Sequence, residues 1–435
     1  MRSNMGSKIS ALCLVLAASG CFSRGIQHPK SEGIDSGRRG NGPDKETTGG
    51  SIAGTGPSRV LWSKQLSSLV AASEGVVLWK KRVAAGIGNT VVILDVDSGA
   101  DHRWGRPGPE LFQTMVVDDD GHFLVAGQRA YAIDQEGRLV WEVALPSEAP
   151  IMDEWAQCRL AYRGASRMLV AGCNNGYVSG VQAGGSGRLA WSHRVYRVGP
   201  FDMSVGPGRG SGFVVALGAG HDSEGTKLLD GGTGELVTAF AHGTGAVFSA
   251  NNAGFLVASP SLSLLQEGGK VQWQVAPDGV YRMPLAIGSP EDRVMVMERR
   301  PGEVSRLSMF SLRTGRRVAG PLGQGTPVAA GADGTFYALS CDLGSREAST
   351  VAPRLVAYDG SLKEIWNTEL PVPGMVDGNY PCPRPGVALG SDGVMYLLVE
   401  SSGTHLMAVQ TNSPGPAATA WPLRFGRNEG WRWSD

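Results

Sequence analysis

The residues whose types and spacing could do chemistry in this 435-residue chain are six cysteines, seven histidines and a few acid-rich or glycine-rich turns. The cysteines (13, 21, 158, 173, 341, 382) never fall as Cys-x-x-Cys, the close pairing that structural zinc sites use, so no metal is expected from them. The histidines (28, 102, 122, 193, 221, 242, 405) are scattered, with neither a His-Glu-x-x-His nor a Gly-x-Ser-x-Gly nearby. Asp118-Asp119-Asp120-Gly121 gathers oxygens as a Ca²⁺ loop would, but equivalent positions elsewhere hold plain Asp-Gly turns, and a turn is the better reading. Gly206-Pro207-Gly208-Arg209-Gly210-Ser211-Gly212 looks phosphate-binding. A phosphate loop must open a helix, however, and Phe213-Val214-Val215-Ala216-Leu217 is a strand, so a hairpin tip is expected. No catalytic residue, cofactor or metal is assigned. A site assembled from several distant loops would leave no such local trace.

The ends of the chain say where such elements would sit. Arg2 and Lys8 precede the apolar run Ile9 to Ala18, then Ala17-Ala18-Ser19-Gly20-Cys21. A basic start, a short apolar core and small residues before a cut site make residues 1–20 a secretory signal. The run is shorter than the roughly 20 residues needed to span a bilayer. Small residues directly before Cys21 resemble the lipobox of bacterial lipoproteins, with Ala18 where that family prefers Leu. The resemblance implies acylation of Cys21, and Phe22 after it, in place of Asp, implies outer-membrane sorting. Residues 21–58 are Gly/Ser/Pro-rich with almost no apolar pattern, too little to offset ordering entropy, and are expected to be a disordered tether reaching about 30–35 Å. Lys+Arg and Asp+Glu balance at 40 each. Loss of Arg2 and Lys8 leaves 38 basic against 40 acidic residues, which argues against nucleic acid as a partner.

Between the ends, short apolar runs end in a turn and a Trp follows at fixed offset. Tyr131-Ala132-Ile133-Asp134-Gln135-Glu136-Gly137 precedes Trp141, Val181 to Gly187 precedes Trp191, and Leu264 to Gly269 precedes Trp273. In each, Trp stands four residues after Gly. Looser copies carry Trp104 and Trp366, while Leu228 to Gly234 and Phe310 to Gly315 keep the turn without the Trp. A strand running into a turn where Gly supplies positive φ, then a return strand with a large aromatic, is a hairpin. A second hairpin precedes each, turning at Asp120-Gly121, Asn251 to Gly254, Asp333-Gly334 or Asp392-Gly393. The 359 residues from Trp62 to Trp421 divide into eight intervals averaging about 45, the period of a four-stranded propeller blade. The expected fold is therefore all-β: an eight-bladed propeller of four-stranded antiparallel blades over 59–425, seven blades being the runner-up, with a tail at 426–435. Either Val60–Leu66 or Thr419–Leu423 should complete the last blade and close the ring.

Tyr-Ala-Ile-Asp-x-x-Gly-x-x-x-Trp at 131–141 resembles the quinoprotein-type, or PQQ-like, propeller repeat, and the likeness covers roughly residues 59–425. In architecture and lipobox the chain also resembles the eight-bladed outer-membrane lipoproteins that scaffold β-barrel assembly. The quinone-dependent dehydrogenases of the repeat family use adjacent cysteines and Ca²⁺. With no Cys-Cys pair here, no quinone is expected.

In an oxidising envelope disulfides persist. Cys158 and Cys173 lie symmetrically about the turn Gly164-Ala165-Ser166-Arg167, and Cys341 and Cys382 should emerge on one face, so Cys158–Cys173 and Cys341–Cys382 are the expected pairs. In a propeller the loops joining the second to the third strand, and one blade to the next, share a face. Here that face receives the long loops, with Trp155, Tyr281, Arg282, Arg300 and Tyr380, residue types that dominate interface hot spots. The functional expectation is a monomeric, lipid-anchored cell-envelope module that binds a protein or envelope polymer and catalyses nothing. The alternative is an extracytoplasmic enzyme, quinoprotein-like or polysaccharide-acting. A carboxylate pair of roughly 5–9 Å spacing in the central channel would favour the second of these.

Overall fold

The computed structural model describes residues 58–67, 75–106, 110–112, 114–146, 156–197, 200–208, 212–219, 225–240, 247–249, 254–257, 261–266, 270–275, 281–288, 293–300, 303, 305–340, 353–372, 385–400, 403–417 and 432–433. Every strand lies in the compact unit Ala53–Asp435, and no helix occurs among the described residues. The strands form eight antiparallel blades of four, in a ring. From inner to outer strand, blade 1 is Val76–Trp79, Arg82–Ile87, Thr90–Asp95 and Asp101–Gly105; blade 2 is Val116–Val117, Phe123–Ala126, Arg129–Ile133 and Leu139–Ala144. Blade 3 is Ala156–Arg163, Met168–Cys173, Tyr177–Gln182 and Arg188–Arg194; blade 4 is Pro200–Pro207, Phe213–Ala219, Thr226–Asp230 and Leu236–Phe240. Blade 5 is Val247–Ser249, Phe255–Val257, Leu262–Leu265 and Val271–Val275; blade 6 is Tyr281–Gly288, Arg293–Arg299, Arg306–Ser311 and Arg317–Gln324. Blade 7 is Thr326–Ala330, Phe336–Ser340, Arg354–Tyr358 and Glu364–Glu369. Blade 8 is Gly386–Leu389, Val394–Glu400, Thr404–Gln410 and, from the other end of the chain, Arg59–Ser67. Pro207 pairs with Phe213 and Gly208 N donates to Gly212 O at 3.1 Å, so the glycine-rich segment joins two antiparallel strands and a strand, not a helix, follows it.

The constant offset from Gly to Trp has a register explanation. In blade 2, Leu139 pairs Ile133 and Trp141 pairs Ala132, leaving Val140 as a bulge. Bulges at the same place precede Trp191, Trp273 and Trp366. Because strand side chains alternate faces, one inserted residue re-aims the Trp. The face it gains belongs to the next blade. Indole Nε1 of Trp141, Trp191 and Trp273 donates to Ala183 O (3.1 Å), Gly231 O (3.2 Å) and Leu312 O (2.7 Å), each in the turn between the third and fourth strands of the following blade. The turn glycine there must lack a side chain: a Cβ on Gly187 would lie 2.7 Å from Trp141, on Gly234 2.4 Å from Trp191 and on Gly315 2.5 Å from Trp273. All three also have positive φ (69°, 75° and 68°), where Gly is unstrained. Trp and Gly of one repeat thus serve two different interfaces. Blade 6 has no such Trp, and the Arg293 guanidinium, from its second strand, donates instead to Gly360 O in the turn of blade 7.

The core follows the seams. Separate apolar clusters join blades 8 and 1 (Leu66, Val83, Val92, Leu398, Leu406), 1 and 2 (Ile93, Phe112, Phe123, Tyr131) and 6 and 7 (Met309, Phe336, Val356). This is how a chain longer than one ordinary core stays packed: each blade buries its sides against its neighbours. Of the two candidate closing strands the N-terminal one does the work, pairing from Arg59 opposite Gln410 to Ser67 opposite Thr404. Trp421 lies outside the described residues.

At this closing seam sits His405, opposite Gln65 on the N-terminal strand. Its Nε2 is buried with no hydrogen-bond partner among the described residues, and burial pushes the imidazole below its usual 6.5. The unfolded chain therefore takes up this proton near pH 6.5 while the folded one resists, so stability falls as pH drops below that point. His405→Asn should flatten the midpoint-versus-pH curve between about pH 5 and 7. An unchanged slope in urea titrations would remove His405 as its source.

Cys158 and Cys173 are bonded, directly opposite each other in the inner hairpin of blade 3 with Cα atoms 4.0 Å apart. Asn174 N donates to Gln157 O at 2.9 Å, so the two cysteines occupy a non-hydrogen-bonded pair, the closer of the two antiparallel pair types. Replacing both by Ala should cost about 3 kcal/mol, the value for closing a loop of this size, read as a lowered denaturant midpoint. Cys21, Cys341 and Cys382 lie outside the described residues.

Candidate binding face

Strand direction gives the ring two unlike faces. On one lie the first-to-second and third-to-fourth strand connections; among the described residues, four third-to-fourth turns are fastened by an aspartate of their own. Oδ1 of Asp95 accepts from Ser98 N (2.7 Å), Asp134 from Arg138 N (2.8 Å), Asp230 from Gly232 N (2.9 Å) and Asp359 from Ser361 N (2.8 Å). These bonds hold Asp95 below the ordinary carboxylate range. In Asp134 burial pulls the other way and the Arg138 N–H and guanidinium bonds prevail. The carboxylates are spent on their turns.

The triple-aspartate segment belongs to this turn face. Ligand atoms of Asp118, Asp120 and His122 lie within 4.8 Å of one another, as a cation site would need. Yet Asp118 Oδ1 accepts Asp120 N (3.0 Å) and His122 N (2.8 Å), and Oδ2 lies 2.9 Å from His122 Nδ1. Asp119 accepts the Tyr162 hydroxyl at 3.0 Å, and Asp120 pairs with Arg167 at 3.4 Å. All three acids have protein partners, as a turn cap requires.

The opposite face carries the connections between blades and between second and third strands. The longest run from Glu369 to Gly386, from Ser340 to Arg354 and from Ala144 to Ala156. Of the residues the sequence nominates, three meet at blade 6. Tyr281 and Arg282 begin its inner strand, paired with Arg299 and Glu298, and Arg300 follows its second strand, exposed, with Nη1 3.9 Å from Glu303. Trp155 and Tyr380 lie outside the described residues. Beneath this corner Glu298 is buried: Arg317 Nη2 donates to both its oxygens (2.8 and 2.7 Å), the Ser308 hydroxyl donates to it, and Arg317 stacks over Phe310 at 5.4 Å. A buried, fully bonded acid fixes the strand that presents Arg299 and Arg300 against the third and fourth strands of the blade.

A second fixed feature of the loop face was not legible in the sequence. The connection from blade 1 to blade 2 contains a short strand, Glu110–Leu111, that passes blade 2 and pairs in parallel with Ala156 and Gln157 of blade 3. Glu110, 6% exposed, anchors it: its carboxylate accepts the Tyr131 hydroxyl (2.8 and 3.1 Å) and Gln128 N (2.9 Å). Burial, then the Glu110 carboxylate, pushes the Tyr131 phenol well up, so it stays a donor. Trp104 and Phe112 pack on the Tyr131 ring at 5.0 and 5.9 Å, and Arg106 lies over it at 5.6 Å while pairing with Glu142. Glu110 is not announced by the sequence, because its partner stands 21 residues away with no periodic signal between.

The geometry offers the exposed Arg300 above a buried, bonded Glu298 at a loop-rich face, which suits recognition of a macromolecular surface.

No protein-family model and no curated protein matches the chain. Solved structures do match, at low identity. BamB from Moraxella catarrhalis is 13% identical with a TM-score of 0.52, covering 81% of this chain and all (100%) of its own. Sqt1 of Saccharomyces cerevisiae is 10% identical with a TM-score of 0.58, covering 80% and 98%. The Dos1 propeller is 13% identical with a TM-score of 0.59, covering 81% and 95%. Likeness at this identity is likeness of fold, and the fold is a β-propeller.

Proposed function

We propose that the chain is a lipid-anchored module of the cell envelope, placed in the outer membrane through Cys21, that binds or scaffolds another macromolecule with its loop face. The observation carrying this reading is the asymmetry of the two faces. Among the described residues one carries short turns, several capped by their own aspartates; the other gathers the long connections and the exposed Arg300. Arg59 pairs with Gln410 at the end of the third strand of blade 8, so the chain enters the ring from the turn face. The balance of 40 basic and 40 acidic residues suits a protein or neutral-polymer partner better than a polyanion.

Two measurements test it. Metabolic labelling with palmitate should mark the wild type and not Cys21→Ser; a label retained on Cys21→Ser removes the anchor. Alanine at Trp155, Tyr281, Arg282, Arg300 and Tyr380 together should reduce partner recovery from native-envelope cross-links at least about tenfold, as loss of two hot-spot residues would. Recovery unchanged within error, with an unchanged melting curve, would remove this face.

A further inference from the structure

Among the described residues blade 3 differs from the other seven in that its sheet has six strands, not four. Two further segments of the chain add to its inner strand: Glu110–Leu111 beside Ala156 and Gln157, and Arg432–Trp433 beside Tyr162 and Arg163, both parallel. The edge they use is the one that faces the channel. Cys158 and Cys173 form a non-hydrogen-bonded pair, so alternation turns the backbone groups of Cys158, Leu160 and Tyr162 away from the second strand and towards the channel. Arg163 is the last residue of the inner strand, so the C-terminal pair sits at the turn-face mouth.

The chain reaches that mouth from across the ring. After blade 8 it runs under the turns: Thr411 N donates to Gly393 O (2.8 Å), Ala332 N to Gly415 O (2.9 Å) and Ala417 N to Ala330 O (2.8 Å), with Pro416 bridging Gly331. Ala330 ends the inner strand of blade 7, which stands four blades from blade 3 in either direction. The two attachments are thus diametrically opposed, at the same end of the channel.

We propose that the channel-side edge of the blade 3 inner strand is a strand-acceptor site, that the C-terminal segment is its resident occupant, and that an extended peptide end of a partner enters by displacing it. Main-chain bonds give such an edge its affinity whatever the side chains, which is how strand addition to an open sheet edge works. Among the described residues two residue pairs hold the resident strand, and a ladder that short opens locally at low cost. What keeps it in place is tethering, which presents the segment at about millimolar effective concentration. This site is on the opposite face from the loops invoked above and stands or falls without them.

The test uses a fluorescent synthetic peptide of residues 426–435 against the full chain and against a chain ending at Ala417. The shortened chain should bind it saturably, and the full chain at least tenfold more weakly because the tethered copy competes. The same peptide with proline at 432 and 433, which cannot donate to the ladder, should lose at least tenfold on the shortened chain. Absence of saturable binding, equal binding by both chains, or equal binding of the proline peptide would each overturn the proposal. Should the shortened chain not fold, a protease site introduced within 418–425 and cut after folding replaces it. The severed tail should then co-elute at 100 µM protein, on the order of a tenth of the tethered concentration, and be displaced by excess peptide. A tail that leaves at once, or that excess peptide cannot displace, overturns it equally.

Discussion

A chain lacking residues 1–67 should lose cooperative unfolding, with a stability deficit on the order of 5 kcal/mol or more, comparable with the whole stability of many domains. The deleted strand supplies the outer edge of blade 8 along its full length, from Arg59 to Ser67. It carries Leu66 into the blade 8–blade 1 cluster, and Trp62 against Tyr396 with ring centroids 6.1 Å apart. Its removal opens the ladder of Thr404–Gln410 and uncovers one seam of a ring in which every blade depends on two neighbours. Denaturant titration followed by tryptophan fluorescence reads the loss. A synthetic 59–67 peptide added in trans should recover part of it, and a truncated chain with the wild-type midpoint would show that the closing strand is dispensable.

Trp191→Ala should cost about 3–5 kcal/mol, the range for emptying a large aromatic site in a packed core. Trp191 is 8% exposed, donates to Gly231 O at 3.2 Å, and covers Gly234 of the next blade. The reciprocal change, Gly234→Val, places a Cβ 2.4 Å from the indole at φ 75°, so it should destabilise through both clash and backbone strain. Because one contact underlies both, Trp191→Ala/Gly234→Val should cost clearly less than the sum of the singles. Exposed Val237→Thr, on the outer strand of the same next blade, should stay within about 0.5 kcal/mol. Additive singles would mean that the Trp and the glycine act independently.

How far the sequence foretells this molecule can be judged residue by residue. The Trp four residues after the turn Gly announces the fourth strand, because bulge and turn together fix that spacing wherever a neighbour must be covered. The Asp-Gly turns announce the inner hairpins, and the symmetry of Cys158 and Cys173 about 164–167 announces their bond, since antiparallel pairing converts sequence symmetry into proximity. Which end of the chain closes the ring is not decided by pattern: Trp62 and Trp421 stand in similar strand-like runs, and only the three-dimensional path selects the first. Arg293 in the place of a missing Trp is equally silent, since it comes from the second strand while the repeat predicts the fourth. Glu110 and the Arg432–Trp433 strand leave no periodicity at all; two-residue strands are defined by what lies beside them. Of the nominated binding residues, Tyr281, Arg282 and Arg300 are brought to one corner because strand direction, which a repeat reveals, dictates face.

Closure by the first strand also sets a timetable for biosynthesis. Arg59–Ser67 leaves the ribosome, or the export channel, ahead of every blade, yet its partner Thr404–Gln410 is nearly the last to emerge. Until then it has no sheet to join, and its half-apolar edge must be kept from pairing with other chains. Blades 1 to 7 can assemble vectorially by neighbour-to-neighbour docking, but the circle is sealed only by the most distant pairing in the chain, the slowest kind to find. A folding helper that shields this segment during transit would be needed early and released late.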